Sequence, residues 1–330
     1  MVFGPAIRHA QVRYFIDHDS DHRKTVFVAG MGRSGTTWLA ELLNFRNEYR
    51  FIFEPFDPQR VALASGFEEH TYLREDDARR QFIAPARAIV TGMVREHFVD
   101  QHNRKLICSR RIVKEVHANL LLRWLYRQFP GMPLVMIVRH PFAVAASRQA
   151  TAEDKDLAQN FLAQTDLVVD YLRPYVDVML SCVTPFERQI AAWCIETGVP
   201  FSQFRANELC VVFYEHLVTD PLGTMRRVWA HLGKPFDARI AAAVARPSIT
   251  THSPVGLEAR WRAGADRILD AWKDQVSTTQ LRRGLRLLDA FDVGGIYDHG
   301  AMPLVKDAPL GRPFGYQAAS RGFESVRLVT

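Results

Sequence analysis

Short apolar runs rich in β-branched residues alternate along this chain with longer segments whose apolar residues recur at helical spacing. Such apolar runs predict strands that are buried in a sheet. Five of them lie at residues 25–29, 51–53, 106–113 (interrupted), 133–138 and 209–214. Helical patterns lie at residues 36–45, 118–129, 141–150, 156–172, 185–198, 221–232 and 278–291. The alternation predicts an α/β fold with a central parallel sheet of about five strands flanked by helices.

The chain length leaves two domain arrangements open. Its 330 residues suffice for one large α/β domain or for two smaller ones. We predict a single domain at residues 25–300, preceded by an N-terminal extension at residues 1–24. Residues 301–330 are predicted to be a weakly ordered tail, because beyond Lys306 Gly and Pro dominate without periodicity.

Residues 30–38 carry the strongest chemical signal and read Gly-Met-Gly-Arg-Ser-Gly-Thr-Thr-Trp. A strand, a glycine-rich turn and a helix aim backbone N–H groups and a helix N-terminus at a phosphate. The nucleotide-loop frame G-x-x-x-x-G-K-[ST] is met at Gly30 and Gly35, but Thr36 stands where the lysine belongs. The only cation of the loop is Arg33. We therefore predict a phosphate site adapted to something other than ATP hydrolysis.

A second phosphate site is predicted after the fourth strand. A hydrolytic P-loop enzyme would carry a metal-holding Asp at the end of such a strand, whereas this chain has Arg139. Pro141 suits the first turn of a helix, which places Ser147 about two turns further along at ~1.5 Å per residue. Arg139 and Ser147 are therefore expected to reach one phosphate together, as a charged donor and a hydroxyl donor.

A third stretch, residues 212–221, reads Val-Phe-Tyr-Glu-His-Leu-Val-Thr-Asp-Pro. In order and spacing, the three motifs resemble those of sulfotransferases that use 3′-phosphoadenosine 5′-phosphosulfate (PAPS). Arg33 takes the basic position that is Lys in cytosolic members and commonly Arg in carbohydrate members. The eight-residue step from Arg139 to Ser147 matches the family's 3′-phosphate motif. The resemblance implies a P-loop NTPase-like three-layer fold and transfer of a sulfuryl group to a hydroxyl, with release of adenosine 3′,5′-bisphosphate.

The resemblance assigns donor-binding roles to the three motifs. Arg33 would contact the 5′-phosphosulfate and stabilise charge on the leaving phosphate, together with the backbone N–H groups that follow it. Thr36 and Thr37 would be phosphate ligands, unless one of them only caps the helix. Trp38 would stack on the adenine, unless it packs in the core, and Tyr214 would lie near the adenine. The predicted donor-binding residues are Arg33, Ser34, Gly35, Thr36, Thr37, Trp38, Arg139, Ser147, Tyr214, Arg260 and Arg262.

Two residues compete as the base that takes the proton of the acceptor. Glu54 lies in Phe-Ile-Phe-Glu-Pro-Phe and resembles the Glu-Pro of carbohydrate-type sulfotransferases. Its aromatic neighbours would raise the pKa of its carboxyl into a useful range, unless it is simply paired with an arginine such as Arg33. His117 ends Lys-Glu-Val-His, where cytosolic members carry Lys-x-His, and one residue of slip turns a strand side chain to the other face. We favour Glu54 and keep His117 as its competitor, unless His117 only opens the next helix.

The remaining catalytic and donor contacts follow from the same resemblance. Lys114 would stabilise or protonate the leaving-group oxygen, unless it forms only a salt bridge. Arg260 and Arg262 lie where the family's C-terminal loop closes over the 3′-phosphate, although the glycine-rich version of that loop is absent. No Cys or His spacing suits zinc, and sulfuryl transfer to an alcohol needs no metal, so we expect none.

The acceptor is predicted less sharply than the donor. The combination of Arg33 with Glu54-Pro55 favours a carbohydrate or glycolipid hydroxyl. A lipid or aromatic alcohol is the alternative, because four phenylalanines would line a pocket for it: Phe51, Phe53, Phe56 and Phe67.

Residues 57–104 form a polar, mixed-charge insertion between the second and third strands. This insertion is either a lid or acceptor-binding element, or plain helical decoration.

Composition narrows the class of protein further. A formal charge of +6 and a pI near 9.2 favour anionic ligands, but no block of Lys and Arg predicts a nucleic-acid partner. The four cysteines form no C-x-x-C pair and are expected to be buried free thiols in a reducing compartment. Without a signal-peptide core or a stretch near the ~18 apolar residues of a membrane span, we predict a cytoplasmic location. Whether the protein forms a homodimer is left open.

Two other functions compete with sulfuryl transfer. A P-loop phosphotransferase acting on a nucleoside or sugar would need a loop lysine and a metal-binding carboxylate. The chain lacks the first, and Arg139 argues against the second. The other competitor is a non-catalytic nucleotide-binding scaffold.

Overall fold

The computed structural model describes residues 15–151, 154–244 and 264–314. Its strands are β1 (Ile16–Asp17), β2 (Thr25–Ala29), β3 (Arg50–Phe53), β4 (Ile107–Cys108), β5 (Arg111–Glu115), β6 (Leu134–Val138) and β7 (Cys210–Phe213). The central sheet has the order β3–β5–β2–β6–β7, and every neighbouring pair is parallel. Strands β1 and β4 form a separate parallel pair. This architecture confirms the predicted α/β fold with a five-stranded parallel sheet.

Helices connect the strands. The α-helices are α1 (Thr36–Leu43), α2 (Arg80–Val90), α3 (His97–Asp100), α4 (Leu122–Gln128), α5 (Pro141–Gln149), α6 (Thr165–Leu167), α7 (Val176–Leu180), α8 (Pro185–Gln203), α9 (Tyr214–Thr219), α10 (Pro221–His231), α11 (Ala241–Val244), α12 (Ala265–Leu269) and α13 (Thr278–Ala290). Short 3₁₀ turns lie at His22–Lys24, Ala62–Ala64, Asn119–Leu121, Arg173–Tyr175 and Ala238–Ile240, and π turns at Ala158–Leu162 and Val168–Leu172. Among the described residues, no helix is long and apolar enough to cross a membrane.

The sheet lies between two layers of helices. Alternate residues of β2 face opposite sides, because side chains alternate along a strand. Val26 and Val28 pack with apolar side chains of α1 and α10, whereas Phe27 and Ala29 pack with those of α4, α5, α8 and α13. Both faces of the central strands are therefore buried, which explains why their sequences are continuous apolar runs.

Two predicted elements differ from the structure. The run at 106–113 divides into β4, which pairs with β1, and β5, which starts at Arg111. Residues 156–172 form π turns and the short α6 rather than one helix. There the side chain of Gln164 accepts a hydrogen bond from the Tyr72 backbone (2.7 Å) and donates one to the His70 carbonyl (3.0 Å). Contacts with a distant segment thus override the local helical pattern.

A buried network of charges lies at the amino-terminal edge of the sheet. Arg50, at the start of β3, pairs with Asp100 at 2.9 Å and donates to the carbonyl of Gly92 at 2.6 Å. Arg111, at the start of β5, makes two hydrogen bonds to Asp17, at 2.6 and 2.7 Å. Both arginines are fully buried. The network therefore connects β1 and residues 92–100 to the sheet.

We predict that the Asp100→Asn change destabilises the fold. It leaves Arg50 without its principal carboxylate partner, and breaking a buried ion pair in this way lowers the free energy of unfolding by about 3 kcal/mol. Denaturant unfolding measures the loss. The control is Asp76→Asn, the same change at an exposed carboxylate, which should stay within about 0.5 kcal/mol of the wild type. If Asp100→Asn lost no more stability than Asp76→Asn, the network would not be needed for the stability of the fold.

Candidate active site

The loop between β2 and α1 runs very close to its neighbours at the carboxyl edge of the sheet. A Cβ atom on Gly30 would lie 2.5 Å from the carbonyl oxygen of Ile137 in β6. Gly35 has a φ of 92°, and a Cβ atom there would lie 2.8 Å from Cδ2 of Tyr214. A side chain at either position would clash, and the Gly35 backbone favours glycine as well. The two glycines that define the loop motif are therefore required by its packing.

The start of helix α1 carries donors suited to an anion. Gly35 is the N-cap residue and offers no side-chain cap, so neither Thr36 nor Thr37 caps the helix. The first backbone N–H groups of a helix have no partner within it and bind anions readily. In addition, Ser34 Oγ is buried and has no hydrogen-bond partner among the described residues. A phosphate or sulfate oxygen would satisfy it, so the residues present fit the predicted donor.

The two predicted phosphate loops meet through their arginines. Arg33, whose φ of 73° is unusual for a residue other than glycine, is exposed and donates from Nε to Ser147 Oγ at 2.9 Å. Arg139 donates from Nη1 to the Arg33 carbonyl at 2.9 Å, and its guanidinium lies 4.5 Å from the ring centroid of Tyr214. Trp38 is buried and meets Tyr214 edge to face, with ring centroids 6.0 Å apart. Tertiary structure thus brings these five residues into one cluster.

Residues that were not assigned from the sequence hydrogen-bond the backbone of the loop after β6, which contains Arg139 and His140. Trp193 donates from Nε1 to the Arg139 carbonyl at 2.9 Å. The fully buried Glu215 accepts the backbone N–H of His140 at 2.9 Å and the hydroxyl of Tyr297 at 2.6 Å. Burial raises the pKa of Glu215, and the two hydrogen bonds oppose the rise. The available sequence signal was its position directly after Tyr214 in the third motif.

Glu54 and Lys114 form an ion pair at the ends of β3 and β5. The Lys114 ammonium contacts Glu54 Oε1 and lies 4.6 Å from the ring centroid of Phe53. The partner of Glu54 is therefore Lys114 and not Arg33, the arginine considered from the sequence. Lys114 is buried and Glu54 is partly exposed, so the carboxylate is the member of the pair that an incoming molecule can reach.

His117 lies beside this ion pair and does not open the following helix. It occupies a bend after β5, ahead of the 3₁₀ turn that starts at Asn119. Side-chain ligand atoms of Glu54, Asp57 and His117 lie within 4.8 Å of one another, so both candidate bases converge on one place. Burial, and then the neighbouring His70, lower the pKa of His117 to about 3. Its imidazole is therefore neutral at neutral pH.

The carboxylates and imidazoles here are also close enough together to hold a metal ion. One group is Glu54, Asp57 and His117, and another is Glu69, His70 and His117. However, Lys114 is paired with Glu54, and the ammonium of Lys155 contacts His70. Each group therefore already faces a cation, which opposes the binding of a second one.

The aromatic residues near Glu54 differ from the predicted pocket lining. Phe56 and Phe67 pack inside the core, with their ring centroids 5.2 Å apart. Phe53 instead meets two partly exposed rings of the insertion, Phe98 at 5.5 Å and His102 at 4.8 Å between centroids. Burial, and then the charge of Lys114, lower the pKa of His102 to about 4. Residues 57–104 therefore place side chains beside the ion pair.

The structure does not test two of the predicted donor contacts. Arg260 and Arg262 lie outside the described residues. Within the described part of the chain, the C-terminal segment approaches the site through Trp272, whose ring stacks on His140 at 4.5 Å between centroids.

The chain matches the model of the sulfotransferase family over residues 25–238, and it belongs to that family. The matched region contains the sheet, the two phosphate loops and the Glu54–Lys114 pair. Family membership therefore supports sulfuryl transfer as the class of reaction, in agreement with the resemblance seen in the motifs. No curated protein matches the chain.

Three solved sulfotransferase structures are similar to this chain over most of its length. A sulfotransferase domain from the curacin biosynthetic pathway is 16% identical, covering 81% of this chain and 96% of its own, with a TM-score of 0.41. The sulfotransferase domain of the Synechococcus PCC 7002 olefin synthase is 16% identical (86% and 98%, TM-score 0.47). Mouse sulfotransferase SULT7A1 complexed with PAP is 12% identical (87% and 90%, TM-score 0.42). Since none reaches a TM-score of 0.5, the family assignment rests on the family model.

We predict that protonation of His140 contributes to acid destabilisation. Its Nδ1 accepts the Phe142 N–H and its Nε2 hydrogen-bonds the Asp298 carbonyl, so the imidazole must be neutral. Burial lowers the pKa of His140 to about 3. Because the unfolded chain takes up this proton near pH 6.5, stability is lost as the pH falls below 6.5, by about 3 kcal/mol at pH 4. In His140→Gln, the free energy of unfolding should therefore fall less between pH 7 and pH 4 than it does in the wild type. The exposed His299→Gln is the control, and identical slopes in the two variants would contradict the prediction.

Proposed function

We propose that the protein transfers a sulfuryl group from PAPS to an acceptor hydroxyl and releases adenosine 3′,5′-bisphosphate. The main support is the junction of the two loops after β2 and β6. There, Arg33 bonds Ser147 and Arg139 bonds the Arg33 carbonyl, so two cations and a helix N-terminus converge on one place. A donor with phosphate groups at both ends fits this arrangement of charge. Family membership supports the reaction class, and the converging cations support this donor.

Each part of the donor has matching residues in this proposal. Arg33, Ser34 and the first N–H groups of α1 bind the 5′-phosphosulfate. Arg139 and Ser147 bind the 3′-phosphate. On donor binding, Arg33 exchanges its bond to Ser147 for a bond to a donor oxygen.

The adenine then lies beside the aromatic pair of the third motif. Tyr214 already has a guanidinium on one side and Trp38 at its edge. Base stacking on such a ring is worth about 1–3 kcal/mol.

The chemical step follows from the Glu54–Lys114 pair. Glu54 accepts the proton of the acceptor hydroxyl while the hydroxyl oxygen forms a bond to sulfur. The bond between sulfur and the 5′-phosphate oxygen breaks, and its electron pair stays on that oxygen. Lys114 is released from Glu54 as the carboxylate is protonated, and together with Arg33 it neutralises the new phosphate charge.

We infer that the acceptor is a carbohydrate or glycolipid. Glu54, Asp57 and His117 offer several hydrogen-bonding atoms within 4.8 Å, which suits neighbouring hydroxyls. The partly exposed rings of Phe98 and His102 offer an apolar surface beside them. A phenol or simple alcohol would use only part of this polar set.

The test is transfer from radiolabelled PAPS to a panel of acceptors: octyl glucoside, an N-acetylglucosamine oligosaccharide, 2-naphthol and a long-chain alcohol. We expect transfer to the sugars, with and without EDTA, since no step uses a metal. Binding of adenosine 3′,5′-bisphosphate is measured beforehand by thermal shift. Phosphoryl transfer from ATP that requires Mg²⁺, without sulfuryl transfer, would favour the phosphotransferase instead. Tight binding of the bisphosphate without turnover would favour the scaffold.

We predict that Arg33→Ala lowers kcat on the order of 10²-fold, as removal of a preorganised oxyanion donor does. The control is Arg110→Ala, because Arg110 is exposed and precedes β5 at the opposite edge of the sheet. It should retain full turnover. Near-normal sulfuryl transfer by Arg33→Ala would show that the loop assignment is wrong.

The identity of the base is tested by comparing Glu54→Gln with His117→Ala at saturating donor. We expect Glu54→Gln to lose nearly all turnover, because a glutamine cannot take the proton, while both variants still bind the bisphosphate. His117→Ala should keep measurable turnover. If only the histidine change abolishes transfer, Glu54 is not the base.

A further inference from the structure

Glu115, the last residue of β5, uses both carboxylate oxygens on backbone N–H groups beside the candidate bases. Its Oε2 accepts the N–H of Phe56 at 2.8 Å. Its Oε1 accepts the N–H groups of Val116 at 2.7 Å and His117 at 2.9 Å. The side chain is fully buried and does not face the solvent. One carboxylate therefore connects the turn that follows β3 with the bend that follows β5.

The turn after β3 needs such support because its backbone is strained. Glu54 has a φ of 43°, in the left-handed region, and directly precedes Pro55. Left-handed backbone at a residue other than glycine costs on the order of 1 kcal/mol or more, and a following proline restricts the residue further. Two hydrogen bonds from β5 hold the turn. The Glu54 N–H donates to the Lys114 carbonyl at 2.7 Å, and the Phe56 N–H donates to Glu115.

These contacts also determine where the Glu54 side chain points. Lys114 and Glu115 are neighbours on one strand, so their side chains lie on opposite faces. Lys114 reaches the Glu54 carboxylate on one side, and Glu115 reaches the backbone of the same turn from the other. Loss of the Glu115 contact would let the strained turn relax and would displace the carboxylate of Glu54.

We propose that Glu115 is a positioning residue for sulfuryl transfer, which holds Glu54 in the geometry needed to accept the acceptor's proton. The proposal rests on the proposed role of Glu54 as base. Burial, and then the nearby charge of Glu54, raise the pKa of Glu115 to about 7, while its three backbone N–H partners oppose the rise. A carboxylate suits this position despite the cost of burying it, because each of its two oxygens accepts from a different turn.

The first test is Glu115→Gln, which preserves shape but replaces one acceptor oxygen with an NH₂ group. That group would face an N–H donor, so one of the two turns loses its partner. We expect kcat with radiolabelled PAPS and octyl glucoside to fall by about 10- to 100-fold, as for a displacement of about 1 Å at a reacting group. The Kd of adenosine 3′,5′-bisphosphate should change less than about twofold, since the hydrogen bonds of Glu115 go to Phe56, Val116 and His117, none of which is proposed to bind the donor. Unchanged kcat in the folded variant, or a parallel loss of bisphosphate binding, would overturn the proposal.

A matched control separates positioning from stability. Asp17→Asn is the same kind of change at another carboxylate with a buried side chain, which pairs with Arg111 at the opposite edge of the sheet. It should lower the Tm while leaving kcat unchanged at a temperature where the variant is folded. A loss of kcat in Asp17→Asn as large as that in Glu115→Gln would show that the effect of Glu115 is only a loss of stability.

A double-mutant cycle tests whether Glu115 acts through Glu54. If it does, the Glu54→Gln/Glu115→Gln double variant transfers no more slowly than Glu54→Gln alone. If the loss of kcat in the double variant equals the product of the fold losses in the two single variants, the proposal is overturned.

A measurement on the wild-type protein needs neither a variant nor an acceptor. With the bisphosphate bound, the amides of Phe56 and His117 should exchange hydrogen as slowly as those of the central strands. Fast exchange at both amides would overturn the proposal even if sulfuryl transfer is confirmed. Slow exchange in a protein that transfers no sulfuryl group would instead point to failure of the proposed function.

Discussion

The close approach between the β2–α1 loop and its neighbours is the constraint on which the candidate site depends. Gly30 lies against the backbone of β6, and Gly35 lies against the Tyr214 ring, with no room for a Cβ atom at either position. This packing leaves the start of α1 without a side-chain cap and brings the Arg33 carbonyl within reach of Arg139. Two loops that are about 100 residues apart in the sequence therefore form one cationic surface.

Buried carboxylates hold the loops around this surface. Glu215 takes the backbone N–H of His140 on the donor side, and Glu115 takes those of Phe56 and His117 on the acceptor side. Glu196, also fully buried, accepts from the Asn119 side chain behind the same region. Burial opposes its ionisation, yet the neighbouring His70, Lys155 and Arg148 hold the pKa of Glu196 below its usual value. Hydrogen bonds or nearby cations thus offset the cost of burying these carboxylates, and Glu215 and Glu115 give the backbone of the loops fixed acceptors.

Much of the fold was predictable because its signals are local. The apolar runs predicted the five sheet strands to within one or two residues, apart from the run at 106–113, where Arg111 is buried by its pairing with Asp17. The loop between β2 and α1 was predictable for the same reason, since a strand, a glycine turn and a helix follow one another directly. The break in the 156–172 helix was not, because it depends on Gln164 bonding to residues about 90 positions away.

The sheet, the order of the motifs and the resemblance to sulfotransferases are visible in the chain alone, because apolar periodicity and motif spacing depend on neighbouring residues. Three further features depend on how distant segments pack: Lys114 is the partner of Glu54, Glu54 and His117 converge on one place, and Glu115 and Glu215 face backbone N–H groups. These contacts join residues from different strands. Strand order and register decide which carboxyl ends become neighbours, and both arise only when the chain has packed its two layers of helices against the sheet.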